Sequence, residues 1–445
     1  MKWGQMKSRG RLVGALVAAA AFTAALPAAA SAASTIYVGP GPTNTGGISC
    51  ADPGYNKIQD ALNAAPEGAT ITVCTGTYVE QLQITKGVKI KSLGSVIVKL
   101  PAKPANSTTT CDTSIPGSYQ PNQDLVSICT KEAVSITGVT FIALWPPLTC
   151  YDSLYGLFVG GGGTLALNGV AVEGAGDPPP DEYSGCQGGV AIQLGSARTS
   201  PAETTQATLK NVRVTDYQKN GIDVAGKGTT ATISAATVIG SGPTEHLAQN
   251  GIEVAWGGLA HVTSSHVSAD ECNLKAVCGA NPISDTQSTG VLLYGAAEGT
   301  TVTKTTVTES DIGIYYEDEE TSAPGIPQVS ISKDVLTNDR YEGVALGQGY
   351  ATINNTKITG GQYGIALLQY GESSYGAIGT GTGDTIKGLS SWAVAGLSDH
   401  AEGDHPGQFT ISYSGISGNP AGSGVTESVH TESPSLNIFT SPTDH

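Results

Sequence analysis

Apolar and polar positions along this chain repeat in a way that fixes a small unit. Ten short segments align so that one column is nearly all glycine: Gly156, Gly189, Gly221, Gly251, Gly290, Gly313, Gly343, Gly364, Ala393 and Gly424. The next column is wholly aliphatic: Leu157, Val190, Ile222, Ile252, Val291, Ile314, Val344, Ile365, Val394 and Val425. Successive glycine positions differ by 33, 32, 30, 39, 23, 30, 21, 29 and 31 residues, which predicts strands of constant length joined by loops of variable length. A self-similar unit of a few tens of residues is the signature of a solenoid.

Each unit carries two recognisable strands. One is the Gly-aliphatic strand, as in Asn220-Gly221-Ile222-Asp223-Val224. The other alternates β-branched with small polar residues, as in Ala231-Thr232-Ile233, Thr301-Val302-Thr303 and Ala351-Thr352-Ile353, the pattern of a half-buried pleated strand. Because side chains alternate faces, the aliphatic column and the residue two further on (Val159, Ile192, Val224, Val254, Leu293, Tyr316, Leu346, Leu367) point inward. Stacked coils would turn these into an apolar ladder. The glycine is expected to free a tight corner, and Asn220 and Asn250 before it suit a turn. A propeller blade needs four strands in roughly 40–45 residues, more than the shortest units hold.

Ahead of the coils, Ile58, Ala61, Leu62 and Ala65 within Tyr55 to Ala65 fall on one face of a short amphipathic helix, stopped by Pro66-Glu67-Gly68. A solenoid needs its first coil covered, and this helix is placed to be the cap.

These residues carry a resemblance. The stretch IQDALNAAPEGATITVCTGTYVEQLQITKGVKIKS, residues 58–92, resembles the N-terminal cap and first coil of the pectin esterase and pectate lyase superfamily. The NGIDV and NGIEV repeats resemble right-handed parallel β-helix repeat proteins, including the NosD-like group. The resemblance covers residues 36–430 as architecture and implies an all-β fold, a single-stranded right-handed parallel β-helix with a short capping helix. It does not extend to catalysis. The chain lacks the QDTL-like and DFIFG-like segments of pectin esterases, the GHG motif of polygalacturonases, the WIDH and RxPxxR pair of pectate lyases and the DPHE-like site of mannuronan epimerases. A shared fold does not transfer an activity.

The first residues lie outside this pattern. Lys2, Lys7, Arg9 and Arg11 precede an apolar run from Leu12 to Leu26 and the small-residue site Ala30-Ser31-Ala32, which reads as a secretory signal peptide over 1–32. The apolar run falls short of the roughly 20 residues of a membrane span. The expectation is a secreted, extracellular, monomeric chain without a membrane anchor: a β-helix domain over 33–445, with the cap about 36–70, coils about 70–430 and a tail about 431–445.

Charge narrows the partners. With 22 Lys+Arg and 38 Asp+Glu the formal charge is −16, and losing the four leader cations leaves 18 against 38, or −20. Such a chain repels phosphate backbones and shows no basic stripe, so nucleic acid is excluded as a partner. Polyuronates would be repelled unless Ca²⁺ or a cationic patch intervened; cations, neutral glycans or cationic surfaces fit better, and acidity also simply keeps a secreted protein soluble. In an exported chain the eight cysteines read as disulfides; local pairing would give Cys50–Cys74, Cys111–Cys129, Cys150–Cys186 and Cys272–Cys278, one of about 105 connectivities that eight cysteines permit. None has zinc spacing.

Between the inward columns lies an outward one: Phe158, Ala191, Asp223, Glu253, Leu292, Tyr315, Ala345, Ala366, Ala395 and Thr426. Asp223 beneath Glu253 puts two carboxylates about one strand spacing apart, a geometry that pushes one pKa up and separates an acid from a base or nucleophile. Nearby, Trp256, Tyr294, Tyr315 and Glu317 form an aromatic and acidic patch suited to a sugar, whose ring face is apolar and whose rim is polar. Asp223 and Glu253 are therefore the catalytic candidates, and Trp256, Tyr294, Tyr315 and Glu317 the substrate-binding ones. The acidic run from Glu317 to Glu320 reads either as a Ca²⁺ ligand set or as a solvated charge run lacking fixed ligand spacing, and no cofactor or metal is otherwise expected. His246, His261, His266, His400 and His405 read as surface histidines unless one adjoins Asp223. No basic residue occupies the outward column, which tells against a lyase; Lys219 and Lys227 are the nearest substitutes. Two functions compete: binding of an extracellular polysaccharide beside Asp223 and Glu253, with or without cleavage as a polysaccharide hydrolase or lyase, or a non-catalytic β-helix surface or assembly module that uses its long stacked face for contacts.

Overall fold

A computed structural model of the chain describes residues 35–44, 46–108, 111, 122–146, 153–176, 187–196, 204–245, 247–274, 278–279, 285–318, 328–369, 377–398, 408–411, 414–417 and 437–440. The segment read as a signal peptide, Cys150 and Cys186, His246, His400 and His405, Glu319 and Glu320, and the last units of the glycine column beyond Ala393 lie outside these residues.

The described strands form two all-parallel sheets, one of 23 strands and one of 11. Each strand of the smaller sheet pairs with the equivalent strand one coil away: Val190–Leu194 with Asn220–Ala225, that with Asn250–Ala255, then Thr289–Tyr294, then Ile312–Glu317. The fold is a parallel β-helix, and its right-handed coil follows the hand that parallel crossovers take.

From Leu154 onward each described coil holds three strands, where the pattern shows two; before that the second and third run on as one, as in Val88–Lys99 and Ala133–Leu144. The Thr/Ser-rich strand, such as Thr230–Ser234, is followed after one left-handed residue by a short strand, such as Thr237–Ile239. The bend residues Asn211, Ala235, Ser264, Lys304, Lys333 and Asn355 stack at φ 51–60°. Three-residue strands such as Arg213–Thr215 and Lys357–Thr359 have too few residues for a visible alternation, since each contributes one inward side chain. Val214, Val238, Val267, Val307, Leu336, Ile358 and Ile386 form that third, fully buried ladder.

The glycine column has a different cause from the corner freedom expected of it. Its described residues, other than Gly189, do not adopt positive φ. A Cβ on Gly221 would lie 2.5 Å from the Gly251 carbonyl oxygen and 2.5 Å from Val238 Cγ1. A Cβ on Gly251 would meet the Gly290 carbonyl at 2.6 Å and Val267 Cγ1 closer still. Glycine is required because coil backbone and the opposite sheet's β-branched side chains converge there. That distinction moves one register. Gly189 is a turn glycine with φ +88°, and Ala191 takes the packed position, so Ile192 pairs with Ile222 and Gln193 with Asp223. The outward place assigned to Ala191 belongs to Gln193.

The capping helix runs Ile58–Ala64, shorter than the Tyr55–Ala65 pattern, and buries Ile58, Ala61 and Leu62. The first coil finishes both of its ends. Glu80 accepts hydrogen bonds from the Ile58 and Gln59 amides at 2.8 and 3.0 Å, and Lys86 donates to the Ala65 carbonyl at 2.9 Å. These bonds satisfy groups a helix leaves unpaired. Three disulfides join the expected partners: Cys50–Cys74, Cys111–Cys129 and Cys272–Cys278.

Buried acids close the coil corners. Asp334 accepts the Thr305 amide at 2.6 Å and Asp384 the Thr356 amide at 2.8 Å. Asp311 accepts the Cys272 and Ser288 amides at 2.9 and 2.8 Å, and its other oxygen meets Arg340 at 2.5 Å. Burial pushes Asp334 and Asp384 up to about 7 and Asp311 to about 6, against the opposing pull of these hydrogen bonds.

Candidate functional site

The outer face of the smaller sheet is not uniformly open. Along its outward column the strand register runs Ser127, Phe158, Gln193, Asp223, Glu253, Leu292, Tyr315, Ala345, Ala366, Ala395. Phe158 is buried with Tyr155, Val190 and Cys111 in one apolar patch. Ala345, Ala366 and Ala395 have no exposed surface and join Ile312, Tyr363 and Leu368 in another, against which Tyr315 and Trp392 pack. The alanine run of the outward column, counted in favour of a contact module, is therefore covered. Asp223, Glu253, Leu292 and Tyr315 are part-exposed and lie in a window between the two patches.

Within the window Asp223 and Glu253 are register partners on adjacent strands. The strand alternation slips at the glycine: a Cβ on Gly221 would point inward at Val238, and Ile222 also points inward. Asn220 and Asn250, three residues before the carboxylates, consequently share their face instead of only shaping a turn. Asn220 Nδ2 donates to Glu253 Oε2 at 2.5 Å, Asn250 Nδ2 reaches the same oxygen at 3.4 Å, and Asn250 Nδ2 lies 3.1 Å from Asn220 Oδ1. Amide donors on a carboxylate favour its ionised form. Lys219, beside this cluster, donates to the Ala248 carbonyl at 3.0 Å; burial lowers its pKa while Glu253 opposes that shift.

A second row runs Ala255, Tyr294, Glu317, again in register. Trp256 follows Ala255 with a left-handed φ of 57° and is 41% exposed. Its indole packs edge-on against Tyr294, ring centroids 5.3 Å apart and planes at 74°. Tyr315 donates its hydroxyl to Glu317 Oε2 at 2.5 Å. The structure thus places the six sequence-predicted residues on four consecutive coils, and adds Asn220, Asn250 and Lys219. The repeated Asn-Gly pair was the available signal for the asparagines.

Other candidates fall elsewhere. His261 and His266 are exposed on the larger sheet, His261 Nδ1 lying 3.1 Å from Thr301 Oγ1. Asp318 is buried and accepts from Gln328 Nε2 at 2.7 Å. Among the described residues no three His, Cys, Asp or Glu side chains group so as to hold a metal ion, and no helix is long and apolar enough to cross a membrane. A groove of about 650 Å³ crosses the larger sheet between Lys89 and His261, floored by Ser135, Ala166, Thr208 and Thr232, and does not include the acidic pair.

No family model matches the chain, and no curated protein matches it in sequence. Solved structures do match in fold. A double mutant of the periplasmic alginate epimerase AlgG superposes with a TM-score of 0.51 at 10% identity, covering 87% of this chain and 83% of that one. The A-module of the Azotobacter vinelandii mannuronan C-5 epimerase AlgE4 superposes with a TM-score of 0.50 at 14% identity, covering 86% and 94%. The chain shares the parallel β-helix fold of these structures; at these identities the likeness concerns fold alone.

Proposed function

We propose that this is a secreted protein that binds an extracellular polysaccharide across the window and cleaves it with Asp223 and Glu253. The observation that carries the reading is their in-register pairing on adjacent strands, in the part-exposed stretch between two covered patches. Trp256 and Tyr294 supply a surface for a sugar ring, with carboxylates for its hydroxyl rim. Fold neighbours named for alginate and mannuronan epimerisation support a polysaccharide as the ligand. A leader of signal-peptide pattern and the disulfides support export.

Glu253, held by two amide donors, suits the nucleophile or base, and Asp223 the proton donor to the leaving oxygen. Carboxylates about 5–5.5 Å apart define a retaining glycosidase: one attacks the anomeric carbon as the other protonates the departing oxygen, and water then releases the glycosyl-enzyme. One strand spacing, about 4.8 Å, is close to that separation. Asp223→Asn and Glu253→Gln should each abolish release of reducing ends across plant, algal and microbial glycans while leaving glycan binding measurable. Unchanged product release would remove both from the mechanism.

The second reading is a β-helix that binds glycan without cutting it. It is favoured by the lack of every catalytic motif of the resembling families and by the position of the large groove away from the acidic pair. Binding with no product from the parent protein would decide for it.

A further inference from the structure

We propose that the groove on the larger sheet is a second binding site, for a neutral linear glycan, which holds the polymer without acting on it. This rests on the reading of a glycan as the ligand, but not on the acidic pair, which the groove does not include.

The groove follows the stacking axis. Its floor is one register row, Lys89, Ser135, Ala166, Thr208, Thr232 and His261, one residue from each of six neighbouring strands. Five strand spacings make it about 24 Å long. Its volume of about 650 Å³ is that of a built ligand site. The polar groups in it are ones the protein does not use. The side chains of Ser135, Thr208 and Thr232 on the floor, and of Thr164, Gln206 and Thr230 in the row beside it, make no hydrogen bond among the described residues. Each of these groups can both donate and accept. Past the groove, hydroxyls of the same sheet turn to neighbours instead: Thr301 Oγ1 lies 3.1 Å from His261 Nδ1, and Thr303 Oγ1 lies 3.1 Å from Ser332 Oγ. Ala133, Ala166 and Leu259 set apolar surface between the free hydroxyls. A sugar chain offers the complement, hydroxyls along its rim and C–H surface on its faces.

Charge selects the kind of chain. No Asp or Glu lines the groove, although the chain holds 38 of them against 22 Lys and Arg; Glu132 precedes Ala133 outside it. Its bases, Lys89 and His261, stand at opposite ends, and Lys91 and Lys210 belong to the next row over and do not line it. A polyanion would therefore find no cation between the two ends, over Ser135, Ala166, Thr208 and Thr232, and would be repelled on approach by a formal charge of −16. A peptide would find no strand edge to extend, because every strand here is paired on both sides. An uncharged glycan meets neither obstacle and gains the unused hydroxyls and the Gln206 amide.

The test is affinity electrophoresis of the full secreted chain through native gels holding hydroxyethylcellulose, galactomannan or soluble starch, with polygalacturonate as the charged probe. At least one neutral polymer should retard the parent protein, and polygalacturonate should not. Thr208→Val combined with Thr232→Val removes two floor hydroxyls and keeps the β-branched shape that suits a strand. It should weaken retention about tenfold, at severalfold for each lost hydrogen bond. Ala166→Leu, which fills the floor, should act alike. Thr352→Val, in the same row beyond the groove, should leave retention unchanged, and circular dichroism should show every variant folded. Retention that survives the groove substitutions would overturn the inference; its loss with Trp256→Ala instead would place binding in the window and leave that reading standing. Retention by polygalacturonate that the groove substitutions abolish would overturn the neutral class. No retention by any neutral polymer would overturn the inference as well, while the acidic pair is still judged by release of reducing ends.

Discussion

Asn220 donates its side-chain amide to Glu253 Oε2 at 2.5 Å, from one coil to the next. The asparagine precedes the packed glycine of its own strand, and the carboxylate follows that of its neighbour. The two meet because the alternation slips at the glycine. This bond ties the shape of the coil to the chemistry of the window.

Its removal is the first prediction. A hydrogen bond to a charged group contributes about 1.5–3 kcal/mol. Asn220→Leu should therefore lower turnover or glycan affinity about tenfold or more, with far-ultraviolet circular dichroism unchanged. Asn250→Leu, whose contact is longer at 3.4 Å, should have the smaller effect. The reverse order would show that Asn220 is only structural.

Gly251→Ala tests the close approach of coils. The new methyl would sit 2.6 Å from the Gly290 carbonyl as well as against Val267. Overpacking of this kind costs about 1–3 kcal/mol. A thermal melt should show a drop of several degrees, only partly recovered by adding Val267→Ala because the carbonyl cannot retreat. Gly41, where a Cβ meets nothing within 4 Å, should accept alanine without loss.

The buried acids predict the pH dependence of stability. Asp334 and Asp384, at about 7, and Asp311, at about 6, hold protons more tightly folded than unfolded. Between about pH 4 and 7 the native state binds more protons, so stability rises as pH falls and is lost as pH climbs through these values. Asp270, Asp339 and Glu342, raised by burial, act in the same direction. Urea midpoints should be higher at pH 5 than at pH 8, and Asp334→Asn should flatten that slope. A midpoint that rises with pH over this range would contradict the assignment.

The disulfides should differ in weight. Cys50–Cys74 spans 24 residues and Cys272–Cys278 only 6. Loop-closure entropy assigns about 3 kcal/mol or more to the longer and less to the shorter. Replacing both cysteines of the first pair by serine should lower the melting temperature more than replacing those of the second. Peptide mapping of the unreduced chain should also recover a Cys150–Cys186 linkage.

Much of the fold was legible because its cause is local. Strand alternation and the packed glycine specify which side chains face in, and Ile222, Ile252, Val291 and Ile314 all do so. The cap helix followed from spacing; the three cysteine pairings match the local pairing, which spacing alone left as one of many connectivities. Where glycine had two possible causes the pattern misled: Gly189 serves a left-handed turn, Ala191 fills the packed place, and Gln193 moves into the outward column. The third strand of each coil escaped because three residues show no period.

The amino-acid sequence by itself determined a stacked coil, its inward ladder and the adjacency of Asp223 and Glu253, because these depend on repeats within single strands. Only the tertiary structure decided that Ala345, Ala366 and Ala395 are covered while Asp223 and Glu253 are not, and that Asn220 and Asn250 turn toward Glu253. What covers a face, and which atoms meet across coils, depends on connections of unequal length and on backbone corners. Neither leaves a period in the sequence.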